Sequence, residues 1–358
     1  MSGRLSPAER PLRALLLPPI PWGPERAAFR PGAGPDPFDL DRLLAAHGIA
    51  TELLDVGGWP WNPLAGRGTV LQGIDPLRAV RTLLRQRSID IVVGIFESPA
   101  LLPVLARRIG LMAAPVVVWD LGLTEGWRLR ERILDRVVPA ADGLLVLSAS
   151  QRDYIARRWS RRDGVEVVGH RVDTTFFTPA PPCADGPVLA VGEDRGRDFA
   201  SLLAVAPDIA AHIVIKTRAI PPAADLPPNV TVLRERIGYP ALRDLYAASR
   251  FTVVPLSQAL NASGVSAILE AGAMGRALVV SDAPAIRDFL IPDETCLMVP
   301  CGDRAALAAA IRRLLAEPDT CARLGAAARR FVERTCAAAP FADRFAAALR
   351  RHARATRR

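Results

Sequence analysis

The residues best suited to chemistry lie in one stretch, Asn261-Ala-Ser-Gly-Val-Ser-Ala-Ile-Leu-Glu270-Ala-Gly-Ala-Met-Gly-Arg-Ala-Leu-Val-Val-Ser-Asp282. It follows a strand-like run, Phe251–Leu256, and holds a turn, a short apolar helix with one carboxylate, and a second strand at Ala277–Asp282. Ser263 suits a helix N-cap, and Gly264 lets backbone come close to a ligand. The exposed N–H groups of such a helix start suit an anion such as a diphosphate. Glu270 falls on the helix face of Ser263, Ser266 and Ala267, about two turns in. A lone carboxylate in so apolar a helix is costly unless something hydrogen-bonds to it. Phosphate at the helix mouth and hydroxyls further along the face describe a bound nucleotide. The plainer alternative is an amphipathic helix whose glutamate faces solvent.

Strand, loop, helix, strand is the unit that builds ligand sites at the carboxyl edge of open α/β sheets. The rest of the chain is made of the same parts. In the first half, strands are expected at Leu12–Leu17, Thr51–Val56, Ile89–Ile95, Pro115–Asp120 and Gly143–Ser148. Helices at Leu40–His47, Leu77–Arg87, Leu101–Ile109 and Trp127–Arg136 separate them. A proline-rich run, Phe176–Pro187, interrupts the pattern. Strands at Val188–Val191, Ile213–Lys216 and Val230–Leu233 restart it, with helices at Phe199–Val205 and Ala241–Ala248. Helices at Asp303–Ala316, Ala322–Glu333 and Phe341–Arg351 close the chain. The alternation predicts an α/β protein of two Rossmann-like, doubly wound parallel-sheet domains facing a cleft. The expected boundaries are 1–178 and 179–335, with 336–358 a C-terminal helix packing back on the first domain.

A chain of 358 residues has room for two cores. Arg107, Arg108 and Asp120 break the longest apolar runs, so no transmembrane span is expected, and Met1–Pro11 does not read as a secretory leader. Cys183, Cys296, Cys301, Cys321 and Cys336 show no paired spacing and suit reduced thiols in a cytoplasmic protein. The four histidines are far apart in sequence, so no metal site is expected. Net charge is +9, but Lys216 is the sole lysine. Arginine, alanine and proline enrichment looks like the coding bias of a GC-rich bacterial genome. No RNA-recognition or helix-turn-helix signature accompanies the arginines, so nucleic acid is not an expected partner.

Five segments stand in a telling order: His170-Arg-Val-Asp-Thr-Thr-Phe-Phe-Thr-Pro179, Val191-Gly-Glu-Asp-Arg-Gly-Arg-Asp-Phe-Ala-Ser-Leu-Leu203, Pro228–Leu233 with Leu242–Ser249, Glu270-Ala-Gly-Ala-Met-Gly275, and Leu297-Met-Val-Pro-Cys-Gly-Asp303. With them, residues 188 to about 335 resemble the nucleotide-binding half of the family-4 retaining glycosyltransferases. The resemblance implies the GT-B fold, a UDP- or GDP-sugar donor, retention of configuration, no cofactor and no obligatory metal. By position Glu270 matches the second glutamate of the family's E-x7-E motif, which binds the donor ribose; a carboxylate accepts from two adjacent hydroxyls. The backbone of Ser263, Gly264 and Val265 would then meet the diphosphate. Arg197, or its neighbour Arg195, would meet the phosphate charge. Lys216, at a strand's carboxyl end, is either a further phosphate or sugar contact or a cation facing water. Arg234 and Arg236 fall near where the base should lie.

The chain also departs from that pattern. Ala262 replaces the first glutamate of E-x7-E, leaving Asn261 either to bond a sugar hydroxyl or only to shape the turn. Pro18–Pro24 replaces the usual double-glycine loop after the first strand. Asp120 stands where many relatives carry histidine, either to orient an acceptor hydroxyl, to act as a catalytic base, or to cap Gly122–Glu125. The acceptor is open between a small metabolite and a lipid-linked or envelope glycan. Trp127–Arg136 and the arginine-rich tail Arg350–Arg358 suit peripheral contact with anionic lipid on the inner membrane face, or are solvated surfaces. The competing reading is a degenerate GT-B protein that binds nucleotide-sugar or a partner without transfer. An oxidoreductase is disfavoured because no G-x-G-x-x-G turn follows a strand.

Overall fold

In the computed structural model the described residues are 10–36, 38–57, 73–123, 127–181, 183–258 and 262–355. They form two compact units. The first holds strands β1 (Leu12–Leu17), β2 (Ile49–Leu53), β3 (Ile91–Ile95), β4 (Val116–Trp119), β5 (Gly143–Val146) and β6 (Val165–Val167), ordered β2-β1-β3-β4-β5-β6. The second holds β7 (Val188–Val191), β8 (Ile213–Lys216), β9 (Val230–Leu233), β10 (Phe251–Val254), β11 (Leu278–Ser281) and β12 (Leu297–Val299), ordered β12-β11-β10-β7-β8-β9. All neighbouring strands in both sheets pair in parallel. Central strands such as Ile-Val-Val-Gly-Ile (β3) and Phe-Thr-Val-Val (β10) are buried along their whole length. Sheets covered by helices on both faces require such unbroken apolar runs.

Both sheets therefore match the doubly wound expectation. The strands β6 and β12 and the helix Ala149–Trp159 add to the elements expected from sequence. Only three residues each, the two strands leave too few alternations to stand out from loops. The second sheet has the order of a dinucleotide-binding fold, and its direction of winding reverses between β7 and β10. Loops at the carboxyl ends of those two strands are where such sheets hold ligands.

The unit boundaries lie elsewhere than at 178/179 and 335/336. The chain passes into the second unit at Val168–Gly169 and out at Pro340–Phe341, and residues 30–36 also belong to that unit. Local bonds explain the shift. The Val172 N–H donates to the Cys336 carbonyl at 2.9 Å, and Val172 pairs with Ala337. The Asp173 carboxylate accepts from the N–H groups of Thr175 and Phe176. Arg329 donates to the carbonyls of Phe177 and Ala273. Proline marked a linker by composition, but these bonds fix residues 172–177, ahead of Pro179, the first proline of that run.

The last helix, Ala338–Ala355, gives Phe341, Phe345 and Leu349 to the core of the first unit. The Phe345 ring lies 4.9 Å from that of Trp119. In the same unit the rigid loop after β1 is fixed from two sides. Trp22 and Gly23 donate backbone N–H groups to Asp55, and Arg78 donates to the Pro18 carbonyl at 2.6 Å. No helix among the described residues is long and apolar enough to cross a membrane.

Candidate functional site

The loops after β7 and β10 meet at the winding reversal of the second sheet. Asp198 N–H donates to the Pro255 carbonyl at 3.0 Å, and Ser257 N–H to that of Gly196 at 3.0 Å. Asp194 links the loops through side chains. Its Oδ2 accepts from Arg197 Nε at 2.8 Å, while its Oδ1 accepts from the Gly196 N–H and from the Ser263 hydroxyl. Burial would raise the Asp194 carboxyl, but the Arg197 charge and these donors hold it below its ordinary value. Glycine is needed where the loops touch: a Cβ at Gly192 would collide with Arg197, and one at Gly196 with Ser263.

This arrangement corrects the expected capping. The helix runs from Val265 to Ala273, with Gly264 at its N-cap and no side-chain cap. Ser263 is buried and spends its hydroxyl on Asp194. Gly264 takes φ +86°, and a Cβ there would lie 2.9 Å from Leu256 Cδ2 and 3.0 Å from Val254 Cγ1. Gly264→Ala is therefore expected to destabilise by about 1–3 kcal/mol from backbone strain and crowding, measured by urea unfolding. Val265 buries its side chain and donates its N–H to the Ala262 carbonyl at 3.3 Å.

Arg197 is 5% exposed at its side chain. Its Nε is held by Asp194, and its Nη1 is buried without a partner among the described residues. A guanidinium buried with an unpaired N–H is costly. Its charge also acts on Glu270. Burial pushes the Glu270 carboxyl up to about 7, against the lowering effects of a Tyr246 hydrogen bond and of Arg197. Tyr246 Oη donates to Glu270 Oε2 at 2.9 Å, and Glu270 still keeps some surface open to solvent. Tyr246 is fully buried in the helix Tyr239–Ala248. Its place in the Leu242–Ser249 motif was visible in sequence; its bond to Glu270 was not.

The structure thus brings Arg197, Ser263, Gly264, Val265 and Glu270 together and adds Asp194 and Tyr246. Lys216 does not face water, as one sequence alternative had it. It is buried and donates to Glu193 Oε1 at 3.1 Å, while Glu193 Oε2 accepts from the Arg218 N–H at 2.9 Å. Arg195 is exposed, and no side-chain partner is found for it among the described residues. Arg234 donates to the carbonyls of Ile220 and Pro221, and Arg236 is exposed. Asn261 lies outside the described residues. No group of three His, Cys, Asp or Glu among the described residues is placed to hold a metal ion.

In the first unit, Asp120 follows β4 with φ +59°, and Phe96 follows the neighbouring β3 with φ +68°. Non-glycine residues in this region are strained and cluster at functional sites. The expected cap is supplied by another group: Gly122 N–H donates to Glu97 Oε2 at 3.1 Å. Glu97 is fully buried and ion-paired with Arg130, Nε to Oε1 at 2.5 Å. Asp120 accepts no hydrogen bond among the described residues. Burial, reinforced by the Glu97 charge and opposed by Arg130, raises its carboxyl to about 7. Sequence reasoning missed Glu97 and Arg130, although a lone glutamate just after an apolar strand was a usable signal.

Residues 199–317 match the protein family described as Glycosyl transferases group 1. The similarity to glycosyl transferases group 1 thus lies within the second unit. That match begins after the Gly192–Arg197 loop and includes the 265–273 helix. Alpha-maltose-1-phosphate synthase of Mycolicibacterium smegmatis is 27% identical over 241 residues, which cover 57% of this chain and 62% of that protein. The chain thus spans less than two thirds of that relative's length. Sucrose-phosphate synthase of Thermosynechococcus elongatus superposes with a TM-score of 0.73 at 19% identity, covering 97% of this chain and 100% of that one. HepE of Anabaena, in complex with UDP-glucose, superposes with a TM-score of 0.66 at 13% identity over 95% and 100% of the two chains. The two parallel six-stranded sheets with flanking helices are those of the GT-B fold.

Proposed function

We propose that this chain is a glycosyltransferase that moves a sugar from a UDP- or GDP-sugar to a hydroxyl acceptor, with retention of configuration and without a metal ion. The carrying observation is Arg197, buried with an unpaired N–H at the winding reversal of the second sheet. A diphosphate would satisfy that N–H together with the backbone at Ser263, Gly264 and Val265. Glu270 would accept the ribose hydroxyls through the oxygen that Tyr246 leaves free. The bound UDP-glucose of HepE supports the donor class. Asn261, next to Ala262 in sequence, would hydrogen-bond a hydroxyl of the donor sugar. Lys216 and Arg195 would act as outer phosphate cations. Asp120 would orient or deprotonate the acceptor hydroxyl, from a carboxyl already near the working pH. The acceptor would be a small metabolite or a lipid-linked or envelope glycan, met in the cytoplasm or at the inner membrane face.

The test is isothermal titration with UDP and GDP. Glu270→Ala is expected to weaken the bound nucleotide by tenfold or more, on the order of 1.4 kcal/mol. Ribose hydroxyls need the ionised carboxylate as acceptor, so affinity should fall as pH drops from 8 through about 7. Glu270→Gln cannot titrate and should lose that part of the slope. Stability must move oppositely, because a carboxyl raised by burial contributes most below its ordinary range and loses that contribution as pH rises through about 7. Glu270→Gln should therefore melt higher than the parent at pH 8 while binding less nucleotide. Equal nucleotide affinity in the parent and Glu270→Ala would remove the donor site. Tight binding with neither transfer nor hydrolysis of donor would favour the binding-only reading that Ala262 raises.

A further inference from the structure

The helix Pro76–Arg85 of the first unit faces the wrong way for an ordinary surface helix. Its buried residues are Arg78 and Thr82, whereas Leu77 is 44%, Val80 51% and Leu84 79% exposed. Spacing of three and four residues sets those three side chains on one face. The inversion is held in place by specific bonds. Arg78 donates to the carbonyls of Pro18 and Gly73, both at 2.6 Å, and accepts Thr82 Oγ1 on its own carbonyl at 2.8 Å. Asp75 caps the helix by accepting from the Arg78 N–H. With the polar side pinned inward, the apolar side has no route to the core.

The patch extends beyond one helix. Gln86 donates to the Leu111 carbonyl at 3.3 Å and accepts from the Ala113 N–H at 2.8 Å. Those bonds set the turn after the helix Glu97–Arg108 beside the end of Pro76–Arg85. That turn exposes Ile109 at 70% and Leu111 at 59%. Arg81, Arg87 and Arg108 are exposed around the apolar residues, while Arg85 pairs with Glu52 at 3.0 Å. Contiguous exposed apolar surface of this kind marks an interaction site. A second copy of the chain would bring arginines against arginines. Anionic headgroups meet the same arginines with opposite charge while acyl chains take the leucines.

We propose that the face formed by Leu77, Val80, Leu84, Ile109 and Leu111 docks the protein on an anionic lipid surface. It is a separate feature from the basic helix Arg128–Val137, and it does not depend on the donor site. The test is co-sedimentation of the full chain with vesicles of phosphatidylcholine alone, or with about a third phosphatidylglycerol. Binding is expected to the anionic vesicles only and to weaken with salt. It should drop about tenfold in the Val80→Glu/Leu84→Glu variant, since affinity follows apolar area and charge together. Both side chains are exposed, so that variant should melt like the parent; should it misfold, Arg81→Glu/Arg87→Glu provides the same reading through charge. No pelleting with anionic vesicles, or equal pelleting of the parent and a folded variant, overturns the proposal. A parent dimer in solution that Val80→Glu/Leu84→Glu dissociates would assign the face to a second copy and overturn it equally.

Discussion

Arg197→Met is expected to weaken UDP binding about 100-fold while leaving uridine binding nearly unchanged. A charge-assisted hydrogen bond to phosphate contributes about 1.5–3 kcal/mol, so its loss alone approaches that factor. The substitution also leaves Asp194, which Arg197 holds at 2.8 Å, as an unbalanced anion beside the incoming diphosphate. Two like charges at about 4 Å repel by several kcal/mol at an effective dielectric of about 20. The double variant Arg197→Met/Asp194→Asn should accordingly recover part of the lost affinity, an interaction term that separates charge from packing. Titration calorimetry with UDP and uridine reads both effects. If uridine and UDP lost affinity equally, Arg197 would be supporting the fold of the loop rather than holding phosphate.

Arg130→Met is expected to destabilise the first unit by about 3–5 kcal/mol, because it strands the fully buried Glu97 without its counter-ion. Methionine keeps much of the apolar stem of arginine, including its packing near Phe96 and Trp127, whose rings lie 5.9 and 5.8 Å from the guanidinium carbon. The deficit is thus mainly electrostatic, and Glu97→Gln in the same chain should return a large share of it. All six tryptophans fall within residues 22–159, so intrinsic fluorescence in urea reports this unit without the other. The same change should shift catalysis. Arg130 opposes the rise of the Asp120 carboxyl, so its removal sends that carboxyl higher and moves any Asp120-dependent limb of the pH–rate profile to higher pH. A loss below about 1 kcal/mol would mean that the Glu97–Arg130 pair contributes little to the stability of this unit.

The sequence was most informative where one periodicity ran unbroken. Strands β1, β7, β8 and β9 were expected with the bounds they have, because each is a compact apolar run between clear breakers. Short β6 and β12 were not, and the boundary at residue 178 followed prolines while the structure followed hydrogen bonds around Val172 and Asp173. The site divides in the same way. Glu270 could be picked out as a lone carboxylate in an apolar helix, and Gly264 as a residue whose backbone must turn. Nothing in the order of residues reveals that Ser263 would abandon its cap for Asp194, that Lys216 would pair with Glu193, or that Tyr246 would reach Glu270 across 24 positions.

By itself, then, the sequence determined the alternation of strand and helix, the parallel sheets that follow from it, and the one apolar helix that carries the lone carboxylate of Glu270. Those properties depend on neighbours three or four residues apart, and on apolar periodicity that local reading captures. Tertiary structure alone decided which charges are free. Among the described residues Arg197 keeps an unpaired N–H, burial raises Glu270 and Asp120 toward neutrality, and Leu77, Val80 and Leu84 face outward while the carbonyls of Pro18 and Gly73 hold Arg78 of the same helix inward. Burial and pairing at long sequence separation set a group's charge, and no local pattern encodes them.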